Sequence, residues 1–234
     1  MPETNLVLYE LAGADPALRF SPHCWKIRMA LAHKGLEADC RPWRFTEKEA
    51  IAFSGQGRVP VLVDGDMVVS DSWDIACYLE ERYPDRPSLF GGDEARALAR
   101  FVNAWADTAL VPAFSRLIVR DVHERLGDED RHYFRTSREE RFGATLEDVV
   151  ADRASHLAAL RQALTPLRHL LREQPFIAGG APAYADYSAF GMFMWARCVS
   201  GLSCLEADDP VHHWRDRLLD AFDGLARRAP AIEV

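Results

Sequence analysis

The sequence predicts two structural regimes in one chain: a small α/β unit followed by an all-helical bundle. Three observations carry that prediction. Strand and helix signals alternate up to about residue 90, residues 83–92 (YPDRPSLFGG) are rich in proline and glycine, and beyond them only helical periodicity remains. With 234 residues, each unit is long enough to bury a core of its own.

The first unit begins with Leu6 to Leu11, a strand by its β-preferring bulk, followed by a turn-rich loop, GADPALRF. From Pro22 the pattern is helical: Cys24, Ile27 and Leu31 share a face, and Gly35 is a good stop. Residues 37–43 read as a second strand. Val59–Val63 and Met67–Val69 flank an Asp64-Gly65 turn, which is a hairpin signal. Ser72 is placed to cap the next helix, whose apolar face is Trp73, Ala76, Cys77 and Leu79, and Pro84 ends it. The order β-α-β then β-β-α requires a sheet with helices against it.

In the second unit Phe101, Trp105, Thr108 and Ala109 form one stripe of a long helix, with a break expected at Pro112. Residues 147–173 read as another long helical stretch with Leu157, Leu160, Leu164, Leu167 and Leu171 on one side and Pro166 in its middle. Further helices are expected over 184–199 and 210–228. The expected domains are 1–86 and 92–234.

Composition limits the function. Apolar residues make up 48% and charged residues 27%, as in soluble globular proteins. The net charge of -8 is spread over interleaved acids and bases, so no basic stripe is available to meet nucleic acid. The first residues lack the basic flank and apolar core of a signal peptide, and no run of about 18 apolar residues predicts a membrane span. Five cysteines at irregular spacing give neither a disulfide framework nor zinc spacing, so a reducing compartment is expected. The eight histidines are scattered without ligand spacing, and no metal is expected.

Three short segments can carry chemistry. Ser21 stands at a helix start, where free N–H groups and the helix dipole stabilise an anion, and its hydroxyl can donate to a thiolate. Alone, Ser before Pro also reads as a plain helix cap. Cys24 gives S-P-x-C, a redox-motif spacing without the leading thiol, and it equally fits a buried core position. Val59-Pro60 marks a sheet edge or a cis turn that leaves the Val59 backbone ready to pair with an extended peptide. Asp71-Ser72 reads as a helix cap or as a holder for an α-amino acid head group, the carboxylate taking the ammonium and the hydroxyl the acid.

Taken in order, S-P-x-C, G-x-V-P and D-S resemble the glutathione-site layout of the glutathione transferase family, and the resemblance covers essentially the whole chain. In detail the sequence is similar to the Ser-active-site, β-etherase-type transferases and their fungal relatives, through SPHCWKIRMALAHKG, DSWDIACYLEERYPDRPSLF, ADYSAF at 185–190 and FDGL at 222–225. That resemblance implies an N-terminal thioredoxin-like domain that binds glutathione as co-substrate and a helical domain that holds a hydrophobic electrophile. It implies that Ser21 activates the glutathione sulfur, that Val59 pairs with the cysteinyl unit beside a cis Pro60, that Asp71 and Ser72 bind the γ-glutamyl group, and that Arg58 lies near the glycyl end. A cytoplasmic, detoxifying homodimer is expected. Trp105, Phe114, Phe20, Trp25 and the 184–199 helix are candidates to contact the electrophile, although core packing explains the same aromatics. Ala183 stands where the family has a capping Ser, Thr or Asn, so the box it forms with Asp186 is incomplete. Two other readings use the same scaffold: a non-catalytic ligandin-type binder, and a thiol reductase using Cys24.

Overall fold

The computed structural model describes residues 6–232, so positions 1–5 and 233–234, the outer ends of the two expected domains, lie outside the described residues. A four-stranded mixed sheet forms from β1 (Leu6–Leu11), β2 (Ala38–Trp43), β3 (Val61–Asp64) and β4 (Met67–Ser70), in the order β2-β1-β3-β4. β1 and β2 are parallel, joined by α1 (Pro22–His33) as the crossover, whereas β3 runs antiparallel to both β1 and β4. A 3-10 segment (Lys48–Ser54) connects β2 to β3, and α2 (Ser72–Arg82) closes the unit. Leu6, Leu8, Val61 and Leu62 are buried in the two central strands, which explains why the apolar runs lie there and why the edge strands β2 and β4 are more exposed. Positive φ at Gly65 lets the two-residue turn of the β3–β4 hairpin close. This is the thioredoxin-like arrangement expected.

The helical part runs through α3 (Asp93–Trp105), a π-turn (Ala106–Leu110), α4 (Val111–Glu124), α5 (Asp128–Phe142), α6 (Leu146–Val149), α7 (Arg153–Ala163), α8 (Thr165–Leu170), α9 (Tyr184–Val199) and α10 (Pro210–Gly224). The central member is α9, on which nearly every side chain is buried; it packs on α1, α3 and α4 and so ties the two parts together. No helix among the described residues is long and apolar enough to cross a membrane.

Several expectations change in detail. The disturbance near Pro112 is a π-turn lying just before it: proline offers no N–H to the preceding turn, and the hydrogen-bond register slips by one residue. The stretch 147–173 is three helices, with Pro166 at the start of α8, where its missing N–H is no loss; its leucines nonetheless form a buried stripe from Leu160 to Leu171. Regular helix in α10 stops before 228, because Phe222 and Asp223 turn to positive φ and send Phe222 against His33 and Tyr187, each ring 6.2 Å away. Phe101, the first member of the stripe read along this helix, is 73% exposed, and the buried side of α3 is formed by Ala99 and Asn103.

Candidate active site

Ser21 is the N-cap of α1. Its backbone is extended (φ -62°, ψ 126°), its Oγ accepts the Cys24 N–H at 3.3 Å, and Pro22 opens the helix. These are the local reasons the helix starts here: proline suits the first turn, and the serine oxygen satisfies a free donor. The residue is 5% exposed and sits on the wall of a cleft of about 570 Å³ between the sheet unit and the helices. Arg58 and Val59 line the same cleft. The Val59-Pro60 bond is cis, Pro60 is buried, and Val59 precedes the first ladder residue, Val61, so its N–H and C=O lie outside the β-ladder. Lys48 donates to the Gly57 carbonyl at 2.8 Å and ties down the loop that presents Arg58.

Asp71 and Ser72 are not on that wall. They stand at the start of α2, where the cap is Asp71 rather than Ser72: the Asp71 carboxylate accepts the N–H groups of Trp73 at 2.8 Å and Asp74 at 3.4 Å. Ser72 is the first helical residue, buried, and its carbonyl accepts the Tyr184 hydroxyl at 2.8 Å. A side chain with one oxygen more than serine, one residue earlier, wins the capping position. Asp71 adopts φ 74°, a region that L-residues avoid, and such strain is held only where surrounding contacts fix it. Its charge reaches the α1 side of the cleft, where it favours the protonated forms of His23 and Lys26.

Next to Ser21 lies a polar junction between the two units. Lys26 is fully buried, and its Nζ donates to Asn103 Oδ1 at 2.9 Å and to Asp107 Oδ1 at 2.8 Å. Asn103 Nδ2 in turn donates to Asp107 Oδ2 at 2.9 Å, and the π-turn is what carries Asp107 to this place. His23 Nδ1 is 3.8 Å from Asp107; desolvation by the cleft walls, then the charge of Lys26, holds its pKa below the ordinary histidine value. The imidazole is therefore neutral near pH 7.

Cys24 points the other way. It is 1% exposed, and burial, followed by the negative charge of Glu10, pushes its thiol up to about 12. A thiol so protonated is no nucleophile at neutral pH. Among the aromatics, Phe20 and Trp195 of α9 line the cleft. Trp105, Phe114 and Trp25 do not: Phe114 packs against Phe193 with ring centroids 5.2 Å apart, and the Trp25 indole donates to the Arg19 carbonyl at 2.9 Å. Trp43, Phe45, Tyr133, Phe134 and Phe142 supply most of the remaining aromatic surface. Sequence periodicity gave no sign of them, because β2, the loop after it and α5 meet only in three dimensions.

One positioning residue also escaped the sequence. Gly191, inside α9, faces the start of α1 so closely that a Cβ there would lie 2.3 Å from the Pro22 carbonyl oxygen. Only glycine lets the two helices approach this far, and Ser21 takes its place in the cleft as a consequence. Among the described residues no cluster of three or more His, Cys, Asp or Glu side chains could hold a metal ion.

Residues 20–82 match the family described as glutathione S-transferase, N-terminal domain, and residues 97–222 the family described as glutathione S-transferase, C-terminal domain. The chain belongs to the glutathione S-transferase family. It is 31% identical to glutathione S-transferase 1 of Dianthus caryophyllus over 112 residues, 46% of this chain and 51% of that protein; the chain thus spans about half the length of the first curated relatives it matches. It is 27% identical to the glutathione S-transferase-like protein ustS of Aspergillus flavus over 229 residues, covering 83% of this chain and 81% of that one. Among solved structures, a glutathione S-transferase of Ceriporiopsis subvermispora in complex with glutathione superposes with a TM-score of 0.81 at 24% identity, covering 94% of this chain and 96% of that chain. That last likeness concerns the fold.

Proposed function

We propose that this protein is a glutathione transferase in which the Ser21 hydroxyl stabilises the glutathione thiolate for attack on a hydrophobic electrophile. On this reading the unit 1–86 binds the tripeptide and the unit 92–234 holds the electrophile. The observation that carries it is the placement of Ser21: a serine at a helix N-terminus, on the wall of an aromatic cleft, beside a backbone edge free to pair with a peptide. The Ser21 oxygen accepts from Cys24 N–H and still has its own proton to donate. Val59 pairs its backbone with the cysteinyl unit, Arg58 meets the glycyl carboxylate, and Asp71 with Ser72 takes the γ-glutamyl head group. Holding the thiol two pKa units lower corresponds to about 2.7 kcal/mol of preference for the thiolate, within reach of one charge-assisted hydrogen bond and a helix start.

The finer reading is cleavage of an aryl ether. The thiolate forms a C–S bond at the ether carbon, the C–O bond breaks, and the phenoxide leaves with its electron pair. Its support is the local similarity of SPHCWKIRMALAHKG to the β-etherase-type enzymes. A homodimer fits the family and the exposed Leu98 and Phe101 on α3, 69% and 73% accessible. The five free cysteines accord with a cytoplasmic setting.

The test is the rate of glutathione conjugation with 1-chloro-2,4-dinitrobenzene. Replacing Ser21 by Ala is expected to lower kcat/KM about ten- to a hundredfold below the thiol pKa, with the bound thiol titrating at higher pH in ultraviolet difference spectra. Equal rates in the two proteins would remove Ser21 from the mechanism. No turnover in either, with glutathione still bound, would favour the ligandin-type alternative.

A further inference from the structure

The cleft at Ser21 has a charge pattern that thiolate formation alone does not call for. Its wall contains four cations, Lys48, Arg58, Arg138 and Arg141, and no aspartate or glutamate, in a chain whose net charge is -8. Among the described residues none of the four makes an ion pair. Arg138 is half-buried; its guanidinium lies 4.7 Å from the Phe134 ring centroid and 5.6 Å from that of Phe45, and it donates to the Ser137 hydroxyl at 2.9 Å. Burial, then repulsion from Arg141 and Arg58, keeps its pKa below the usual arginine value. Like charges gathered against an aromatic wall cost free energy, and a bound anion recovers it.

Glutathione's glycyl carboxylate accounts for Arg58 and Lys48, which sit on the sheet side of the cleft. Arg138 and Arg141 belong to the opposite side, three residues apart on α5, and so on one face of that helix. An arginine held over aromatic rings still has N–H donors left to offer, and a guanidinium edge matches an oxyanion.

We propose that Arg138 and Arg141 form an anion subsite for the second substrate, which is therefore an aromatic acid: its apolar body lies against Phe45 and Phe134 and its carboxylate, or a comparable oxyanion, meets the two guanidinium groups. This rests on the transferase reading given above and names the substrate class of that same cleft.

The test compares two electrophiles that differ only in charge, 4-chloro-3,5-dinitrobenzoate and 4-chloro-3,5-dinitrobenzamide. In both, the glutathione sulfur forms a bond to the ring carbon and chloride leaves with the electron pair. Each kcat/KM is divided by the uncatalysed rate constant with glutathione. The acid is expected to be preferred about tenfold or more in the wild type. Arg141→Gln, at an exposed position, and Arg138→Gln should each bring the ratio towards one, while the KM for glutathione stays unchanged. A wild-type ratio near one, or variants that raise the glutathione KM and leave the ratio intact, would overturn the proposal; the latter result would assign the cations to the tripeptide. Calorimetry of unreactive 3,5-dinitrobenzoate against 3,5-dinitrobenzamide, without glutathione, separates the two levels. If there is no turnover, yet the acid binds more tightly and loses that preference in the variants, the anion subsite stands and the transferase reading falls. No binding preference for the acid together with no turnover overturns both.

Discussion

Ser21 and Cys24 are three residues apart, and the structure gives them opposite chemistry. Ser21 faces the cleft as the cap of α1, whereas Cys24, one turn on, is sealed beneath it with its thiol pushed up to about 12 by burial. Cys24→Ser is therefore expected to leave conjugation within about twofold of wild type and to abolish no mixed-disulfide reduction, because there is none to lose at neutral pH. Reduction of glutathionylated peptide by the wild type, lost in that variant, would reverse the assignment. The serine was legible in the sequence because a helix start punctuated by proline is a local signal. The exchange of roles between Asp71 and Ser72 was not, since both residues cap helices well and only the backbone turn at φ 74° decides which one does.

At the scale of elements, Gly191 of α9 fixes the site through its close packing on the start of α1. Gly191→Ala places a methyl group against the Pro22 carbonyl, so α1 and α9 must part. The expected result is a loss of about 1–3 kcal/mol in urea unfolding and a fall in kcat/KM, although Ser21 itself is intact. The N-terminal end of α9 is held by Asp186. Ala183 has no side-chain oxygen to cap the helix, and the half-box is completed by other means: the Asp186 carboxylate accepts N–H groups from Ile177 at 2.7 Å, Ala178 at 3.3 Å, Ala183 at 3.1 Å and the Trp214 indole at 2.8 Å. Burial raises the pKa of this carboxyl while those donors lower it. Asp186→Ala orphans the buried Trp214 indole N–H and three part-buried backbone donors and is expected to cost about 3 kcal/mol, read from the urea midpoint at constant slope. The incomplete box at Ala183 thus does not leave the start of α9 unsupported, because a carboxylate three residues on collects neighbouring donors that a cap residue cannot reach.

For the whole molecule, surface and charge make separate predictions. Leu98 and Phe101 project from α3 as an apolar pair that the other described residues leave largely exposed. If this face joins two copies, Phe101→Glu shifts the sedimenting species from dimer to monomer with little change in far-ultraviolet circular dichroism; an unchanged dimer would place the interface elsewhere. Stability should also depend on pH through histidine. His23 and His33 both have pKa values depressed from 6.5, chiefly by burial. With folded values below the unfolded one, the neutral form is favoured in the fold. Their contribution is complete above about pH 6.5 and is lost as the pH falls through the folded values. Glu10 and Asp186, raised by burial, act in the opposite direction. The histidine share is therefore isolated by comparing wild type with His33→Gln, whose urea midpoint should fall less between pH 7.5 and 5.5.

By itself the sequence determined the two-part architecture, the start of α1 at Ser21 and the proline beside Val59, because strand alternation, helical periodicity and punctuation by proline and glycine act within a few residues of chain. Only the tertiary structure decided which aromatics form a cleft and which fill the core, how Lys26 is paired, and that Arg138 and Arg141 face the same space as Ser21. Those are contacts between segments a hundred residues or so apart, and side-chain packing, which has no signature along the chain, selects among them.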